Sequence, residues 1–390
     1  MPEQQLRIGV IGARGIFDMQ GGVETYCSSF YRRLDPDLFS ITIFASRSRV
    51  HAPLPPNLTV VRVPAPALRS LETPVGALLG VMLARLCGIR LVHVHGLSSC
   101  ICLPLARMLG MSIVVRHMGA EYRRAKWGAA ARAVLQLGET FAARFADTVI
   151  CLNDDIRREF SASTGRRHGL HVIANGVDPP PATCPRALHQ ELGLEPGGYV
   201  LGVGRLVPEK QFDTLIGAFL RADLPQRYKL VIVGAAAHSE KHVRTLRSLA
   251  GGSERVVFAG ERFGADLWVL YRQCAMFVLP STHEGMSFSL LEASGAGAMV
   301  IASDIRANAT VCGDYGVLFP VGSAAALADA ITAGAASVRT QEEIDRQILV
   351  CKTRHDWNAI ARLTEAVFLD THRSRQVERR GVPHAVGGAV

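Results

Sequence analysis

Met276-Phe-Val-Leu-Pro280-Ser-Thr-His-Glu284-Gly-Met-Ser-Phe-Ser-Leu-Leu-Glu292 is the stretch on which the reading of this chain turns. Four apolar residues, a proline break and a second apolar run read as strand, turn and helix. Glu284 and Glu292, with seven residues between them, would share a helix face if both were helical. The break at Pro280 instead places Glu284 in the loop and Glu292 two turns inside the helix. One carboxylate then faces the mouth of a cleft and the other lies deeper beside the helix. Between them, the N–H groups of Gly285, Met286, Ser287 and Phe288 open the helix, where an anion is favoured. Carboxylates accept from sugar hydroxyls and helix N-termini hold phosphate, so a nucleotide sugar calls on both. An amphipathic helix with two exposed glutamates shows the same spacing, so the rest of the chain has to decide.

A chain of 390 residues predicts about two domains, and 48% hydrophobic with 20% charged residues is a globular balance. The longest apolar stretch, Val75 to Val94, is broken by Arg85 and Arg90, short of the roughly 18 residues a membrane span needs. The polar start Met-Pro-Glu-Gln-Gln leads straight into a strand, and no signal peptide is expected. The nine cysteines are scattered, without a Cys-x-x-Cys pair, and Cys100 and Cys102 are too isolated for zinc. Free thiols in a reducing cytoplasm are the expectation. A net charge of +9 suits anionic lipid, phosphorylated substrates or nucleic acid. No nucleic-acid-binding motif accompanies it, and nucleic acid is set aside as a partner.

From the N-terminus, Arg7 to Gly12 reads as a buried strand, followed by a glycine-bearing loop and a helix from Val23 to Leu34, the opening of a doubly wound α/β domain. Gly9, Gly12 and Gly15 are evenly three apart, which is not the nicotinamide fingerprint. Gly21-Gly22 before Glu24 lets backbone approach a ligand closely. His93 and His95 share one face of a strand and read as structural. A helix is expected over Leu97 to Leu109. The next strand ends in Arg116-His117, at the edge where such sheets meet ligands. Arg123, Arg124, Lys126 and Trp127 follow, basic and aromatic together, able to meet anionic lipid or an acceptor diphosphate. Beyond them the stripe Trp127, Ala130, Ala131, Val134, Leu137, Phe141 and Phe145 reads as core. Asn153 is the expected cap of the following helix.

Asn175-Gly-Val-Asp178-Pro-Pro-Pro181 marks the boundary between domains 1–176 and 177–354. A helix over about 355–371 is expected to pack back on the first domain, with 372–390 a disordered tail. The second half repeats the architecture. Its first loop, Gly204-Arg205-Leu-Val-Pro-Glu-Lys210, sets a planar fork and a movable ammonium at a strand's carboxyl end, both suited to one diphosphate.

Three loops now agree. With Glu284-x7-Glu292, Gly204-Arg205-x4-Lys210 and Asn175-Gly-Val-Asp178, supported by Gly21-Gly22-x-Glu24 and His117, the chain from Arg7 to Leu369 resembles family four of the retaining glycosyltransferases. The resemblance implies the GT-B fold, two Rossmann-like α/β domains facing across a cleft. It implies that Arg205 and Lys210 grip the donor diphosphate, that Glu292 binds ribose hydroxyls and that Glu284 binds the donor sugar. The amides of Gly285 to Phe288 would hold sugar and phosphate, Gly21 or Gly22 would approach the diphosphate, and His117 would lie beside the sugar. Ser287 stands where the family often has a second glycine, which tightens that approach.

The activity implied is hexosyl transfer, with retention, from a nucleotide-diphosphate sugar to a sugar or polyprenyl-diphosphate-linked saccharide in surface-polysaccharide assembly. Leaving-group charge falls to Arg205 and Lys210, so no metal or other cofactor is expected, and there is no clear Asp-x-Asp metal-binding motif. The expected location is cytoplasmic, peripheral on the inner membrane's cytoplasmic face. Two other readings share the fold, a sugar-nucleotide epimerase and a non-catalytic sugar- or lipid-binding partner. An epimerase would isomerise the donor without an acceptor. The base, uridine or guanosine, and the sugar stay open.

Overall fold

The structure, a computed structural model, describes residues 5–16, 21–47, 53–66, 71–124, 127–181, 187–236 and 240–379. Lys126 lies outside them. Two compact units emerge, each built on a wholly parallel sheet.

The first unit holds Val23–Asn175 with the preceding strand, and takes the chain back from Trp357 onward. Its strands are β1 (Leu6–Ile11), β2 (Phe39–Ala45), β3 (Leu58–Arg62), β4 (Leu91–His95), β5 (Ser112–His117), β6 (Thr148–Cys151) and β7 (Leu170–Val172). They lie in the order β3-β2-β1-β4-β5-β6-β7. The second unit holds Gly176–Asp356. Its strands are β8 (Tyr199–Val203), β9 (Lys229–Val233), β10 (Val256–Gly260), β11 (Met276–Leu279), β12 (Val300–Ser303) and β13 (Val317–Phe319), in the order β10-β9-β8-β11-β12-β13. The central strands are buried over most of their length, as parallel strands covered on both faces must be, with His93 and His95 inside β4 the polar exceptions.

In each sheet the winding reverses once, between β1 and β4 and between β8 and β11. Loops leaving two such neighbours diverge to opposite faces and open a crevice at their carboxyl ends. In the second unit those two loops are the ones that carry Arg205-to-Lys210 and Glu284. Gly202 lets the layers close there: a methyl group on it would sit 2.8 Å from Leu215 and 3.0 Å from Phe212, on the helix Phe212–Arg221.

Several expectations need correction. Leu97 to Leu109 is a 3-10 turn, Ser99–Cys102, followed by the helix Leu103–Met108. Pro104, which cannot donate to a preceding turn, sits where an α-helix begins. The stripe read as core on the helix Ala129–Phe145 faces outward in its middle, with Val134 37% and Leu137 45% exposed. The buried side is Leu135, Gly138, Glu139 and Ala142. Gly138 sets that rotation, because a methyl group on it would lie 2.0 Å from the Leu97 carbonyl oxygen. The last helix, Trp357–Arg379, does not stop at Thr371. Nothing between Thr371 and Arg379 breaks a helix, and Arg375 and Glu378 pair one turn apart. It packs in the first unit through Trp357 on Tyr26 (ring centroids 5.6 Å), Phe368 on Phe39 (6.3 Å) and the Thr371–Thr148 hydroxyl pair (2.8 Å). The remaining tail, 380–390, lies outside the described residues.

Candidate active site

In the second unit, β11 pairs with β8 through Met276↔Val200 and Phe277↔Leu201, so the loops that follow leave side by side. They are stitched together. Thr282 N–H donates to the Glu209 carbonyl at 2.9 Å, and the Lys210 ammonium donates to Glu284 Oε1 at 2.5 Å. Both charged side chains of that pair are largely buried. The Lys210 stem lies along Gly204, where a methyl group would sit 3.4 Å from its Cε. Gln211, the next residue, is left-handed at φ 52° and ψ 39°, the one non-glycine with positive φ among the described residues. That conformation costs about 1–2 kcal/mol. It ends the turn Pro208–Lys210 and starts the helix Phe212–Arg221.

Glu284 is in the loop, as expected, but the helix begins only at Phe288. Glu292 is therefore about one turn inside it, not two. Ser287 occupies the helix-entry position, and its hydroxyl pairs with that of Ser289 at 2.9 Å. A second polar layer supports the loop from below: Ser303 Oγ donates to the Ser281 carbonyl (2.5 Å), and the fully buried Asn308 donates to Ser303 (3.0 and 3.1 Å).

Glu292 is half-buried and accepts from the Tyr271 hydroxyl at 2.9 Å. Its pKa is pushed up to about 7, chiefly by burial, with the Tyr271 hydrogen bond acting downward and the charge of Asp178 upward. A carboxyl group near its midpoint at neutral pH can either accept from or donate to a ligand hydroxyl. Sequence spacing did not reveal Tyr271 or Asn308. Both are brought in by helices whose partners are fixed only in three dimensions. Asp178, by contrast, lay inside a motif already singled out.

In the first unit, Gly12 ends β1 with φ 98°, and a methyl group there would sit 2.3 Å from the His95 carbonyl oxygen. The switch point is thus closely packed. Gly21 and Gly22, which group with the second unit, lead into the helix Gly22–Phe30, where the first unit's buried Glu24 pairs with Arg14 at 2.9 Å. His117 closes β5 with its ring buried (2% exposed). Its Nδ1 accepts from the Gly119 N–H at 3.2 Å, which leaves the proton on Nε2, 3.4 Å from Glu139 Oε1. Glu139 also accepts from the Tyr122 hydroxyl (3.1 Å) and from Ser163 (3.4 Å). His117 is thereby held as an oriented ring between β5 and two helices. Glu139, hidden among apolar neighbours in the sequence, was not singled out.

His93 and His95 are structural, as read: the Tyr31 hydroxyl meets both, at 2.7 and 2.8 Å, and burial lowers the pKa of each, that of His95 to about 3. Of the basic and aromatic cluster, Arg123 is exposed and paired with Glu159 at 3.2 Å, while Arg124 and Trp127 are half-buried. No helix among the described residues is long and apolar enough to cross a membrane.

Two units, each a wholly parallel sheet whose winding reverses once, are the architecture of the GT-B fold. Comparison with known proteins agrees. Residues 20–180 match the description "Glycosyltransferase Family 4" and residues 197–336 match "Glycosyl transferases group 1". The chain belongs to family four of the glycosyltransferases. It is 32% identical over 128 residues to the serotype-specific mannosyltransferase WbdA of Escherichia coli, a stretch covering 32% of this chain and 16% of that protein. It is 31% identical over 171 residues to the lipopolysaccharide core biosynthesis mannosyltransferase LpcC of Rhizobium leguminosarum bv. viciae, covering 41% and 48%. The matches thus span about one-sixth to one-half of the length of these curated relatives. Among solved structures, sucrose-phosphate synthase from Thermosynechococcus elongatus superposes with a TM-score of 0.80 at 20% identity, covering 95% of this chain and all of that one. Anabaena HepE in complex with UDP and glucose gives 0.76 at 20% identity, covering 94% and 100%.

Proposed function

We propose that this glycosyltransferase moves a hexosyl group, with retention, from a nucleotide-diphosphate sugar to a saccharide or polyprenyl-diphosphate-linked acceptor in surface-polysaccharide assembly. The observation that carries this reading is the pair of carboxyl groups at β11: Glu284 held by Lys210, and Glu292 held by Tyr271. Glu292 binds the ribose hydroxyls. The arriving diphosphate draws Lys210 away from Glu284 and, with Arg205, takes up its negative charge. Glu284, released, accepts from the donor sugar's hydroxyls. The bond from the anomeric carbon to the phosphate oxygen breaks with its electron pair on the diphosphate. The acceptor oxygen bonds to the same face, and its proton passes to the leaving phosphate. Stabilising charge on the leaving group is the main demand, and a guanidinium and an ammonium meet it without a metal. His117, held by Glu139 and Gly119, is the first unit's candidate catalytic side chain.

WbdA and LpcC are both named as mannosyltransferases, which makes a mannosyl donor the first to test. A loose contact of the first unit with anionic membrane, through Arg123, Arg124, Lys126 and Trp127, fits a lipid-linked acceptor. The exposed Val134 and Leu137 on the helix that follows support it. Thermal melting with GDP and with UDP tests the donor half. A ligand at about 100 times its Kd adds about 2.7 kcal/mol, and one of the two should raise the melting temperature by several degrees. No shift with either, and no transfer from either sugar-nucleotide series, would remove the proposal.

A further inference from the structure

On the first unit, away from the carboxyl ends of its strands, lies an open cavity of about 260 Å³ lined by Arg90, His372, Gln376 and Arg379. Arg90 immediately precedes β4, and the last helix reaches the start of β6 through the Thr371–Thr148 pair. The cavity is therefore at the amino edge of the sheet, the edge opposite His117, with a strand length of roughly 15 Å between the two. It is no part of the donor machinery.

All four lining side chains can donate a hydrogen bond, and none is acidic. Arg90 and Arg379 are exposed and make no ion pair with any described residue. The acids that reach this group are already engaged, Asp147 by Arg107 at 2.8 Å and Glu378 by Arg375 at 2.5 Å. His372 gives one ring nitrogen to Gln376 (2.7 Å), while its other, Nδ1, is buried without a partner among the described residues. Burial, and after it the neighbouring Arg375 and Arg90, lower the pKa of Arg379; Asp147 acts upward and Arg85 downward, and the net direction is down. Like charges gathered around a concavity whose nearby carboxylates are already paired to other arginines are the arrangement an anion relieves. The volume is below the roughly 300–1,000 Å³ usual for drug-sized ligands, and suits a phosphate-sized group. Two large apolar residues stand close by in sequence and almost free of the fold, Leu86 (82% exposed) next to Arg85, and Met108 (83%) two residues before Gly110, against which Arg379 lies.

We infer that Arg90, His372, Gln376 and Arg379 form a second anion site, one that takes a phosphate group at the edge of the first unit remote from the transfer chemistry. The phosphate can be that of a free anion or of a phospholipid headgroup. The exposed Leu86 and Met108 make the lipid source worth a separate arm.

The full chain is measured with inorganic pyrophosphate by calorimetry, and with vesicles of phosphatidylglycerol against phosphatidylcholine by flotation at low salt. The chain is compared with Arg90→Gln/Arg379→Gln, with Arg205→Gln/Lys210→Gln and with Arg123→Gln/Arg124→Gln/Lys126→Gln. Each basic side chain near an anionic surface is worth about fivefold, so the Arg90/Arg379 variant should bind phosphatidylglycerol, pyrophosphate or both on the order of twentyfold more weakly. Its transfer rate to a soluble acceptor should not change. Loss confined to the vesicle arm identifies a headgroup, and loss of a pyrophosphate site that survives in the Arg205/Lys210 variant identifies a free anion. The proposal is overturned if the Arg90/Arg379 variant binds both probes like wild type, including the case where vesicle binding is lost only in the Arg123 variant. Both substituted arginines are exposed, and an unchanged melting temperature separates these outcomes from misfolding. Because the donor site is read out independently, failure here leaves the glycosyltransfer reading standing.

Discussion

Lys210 and Glu284 neutralise one another at 2.5 Å in a largely buried setting, and that contact makes a prediction about order. If the diphosphate must displace Glu284 from Lys210, Glu284→Gln frees the ammonium in advance. Binding of the bare nucleoside diphosphate should then be equal to or tighter than wild type. Transfer should fall ten- to a hundredfold, because a charge-assisted hydrogen bond to the sugar is worth about 1.5–3 kcal/mol. Calorimetry with GDP or UDP and steady-state rates check both parts. Weaker nucleotide binding with normal turnover would reverse the two roles. Glu292 gives a prediction in pH. Its folded pKa of about 7 lies above the ordinary value of about 4.3. Between those values the folded chain holds a proton the unfolded chain has released, so stability is highest below the lower value and declines as pH rises through the higher one. Urea unfolding of Glu292→Gln between pH 5 and 8 should show a flatter slope than wild type. An identical slope would mean that this carboxyl is not perturbed.

At the scale of elements, Arg116 shows what holds β5 to the chain's exit from the first unit. It is fully buried, stacked 4.0 Å over the Tyr26 ring, and donates to the Ala174 carbonyl (3.2 Å) and to Asn175 Oδ1 (3.0 Å), the last residues before the boundary. Tyr26 in turn packs on Trp357, where the chain returns. Arg116→Ala should cost about 3 kcal/mol, from a cavity and unsatisfied acceptors together, measured by urea unfolding. A loss under about 0.5 kcal/mol would show the stack to be incidental. Apart from Val317–Phe319, the strands, and with them the Lys210 and Glu284 loops, were legible in the sequence, whereas their order in each sheet was not. Apolar runs ending in glycine or polar residues carry that information locally. Arg116, Glu139 and Tyr271 were not legible, because each is defined by partners 17 to 59 residues away that only the packed sheet brings near. Asn308 was not either: it holds Ser303, five residues before it, whose own partner Ser281 lies 22 residues off. The same limit explains the helix Ala129–Phe145. Its periodicity was visible, but which face turned inward depended on Gly138 meeting Leu97.

For the molecule as a whole, charge on the leaving diphosphate is the proposed quantity to be stabilised, with Arg205 and Lys210 as its agents. Excess EDTA should therefore leave the transfer rate nearly unchanged, and complete loss restored by magnesium or manganese would contradict that division of labour. The most direct measurement is single-turnover transfer by Arg205→Ala at saturating donor. The guanidinium is assigned more to the departing charge than to the bound donor, so its removal should lower the rate about a hundredfold, equivalent to about 3 kcal/mol, with donor affinity changed far less. A rate within about threefold of wild type would contradict the account.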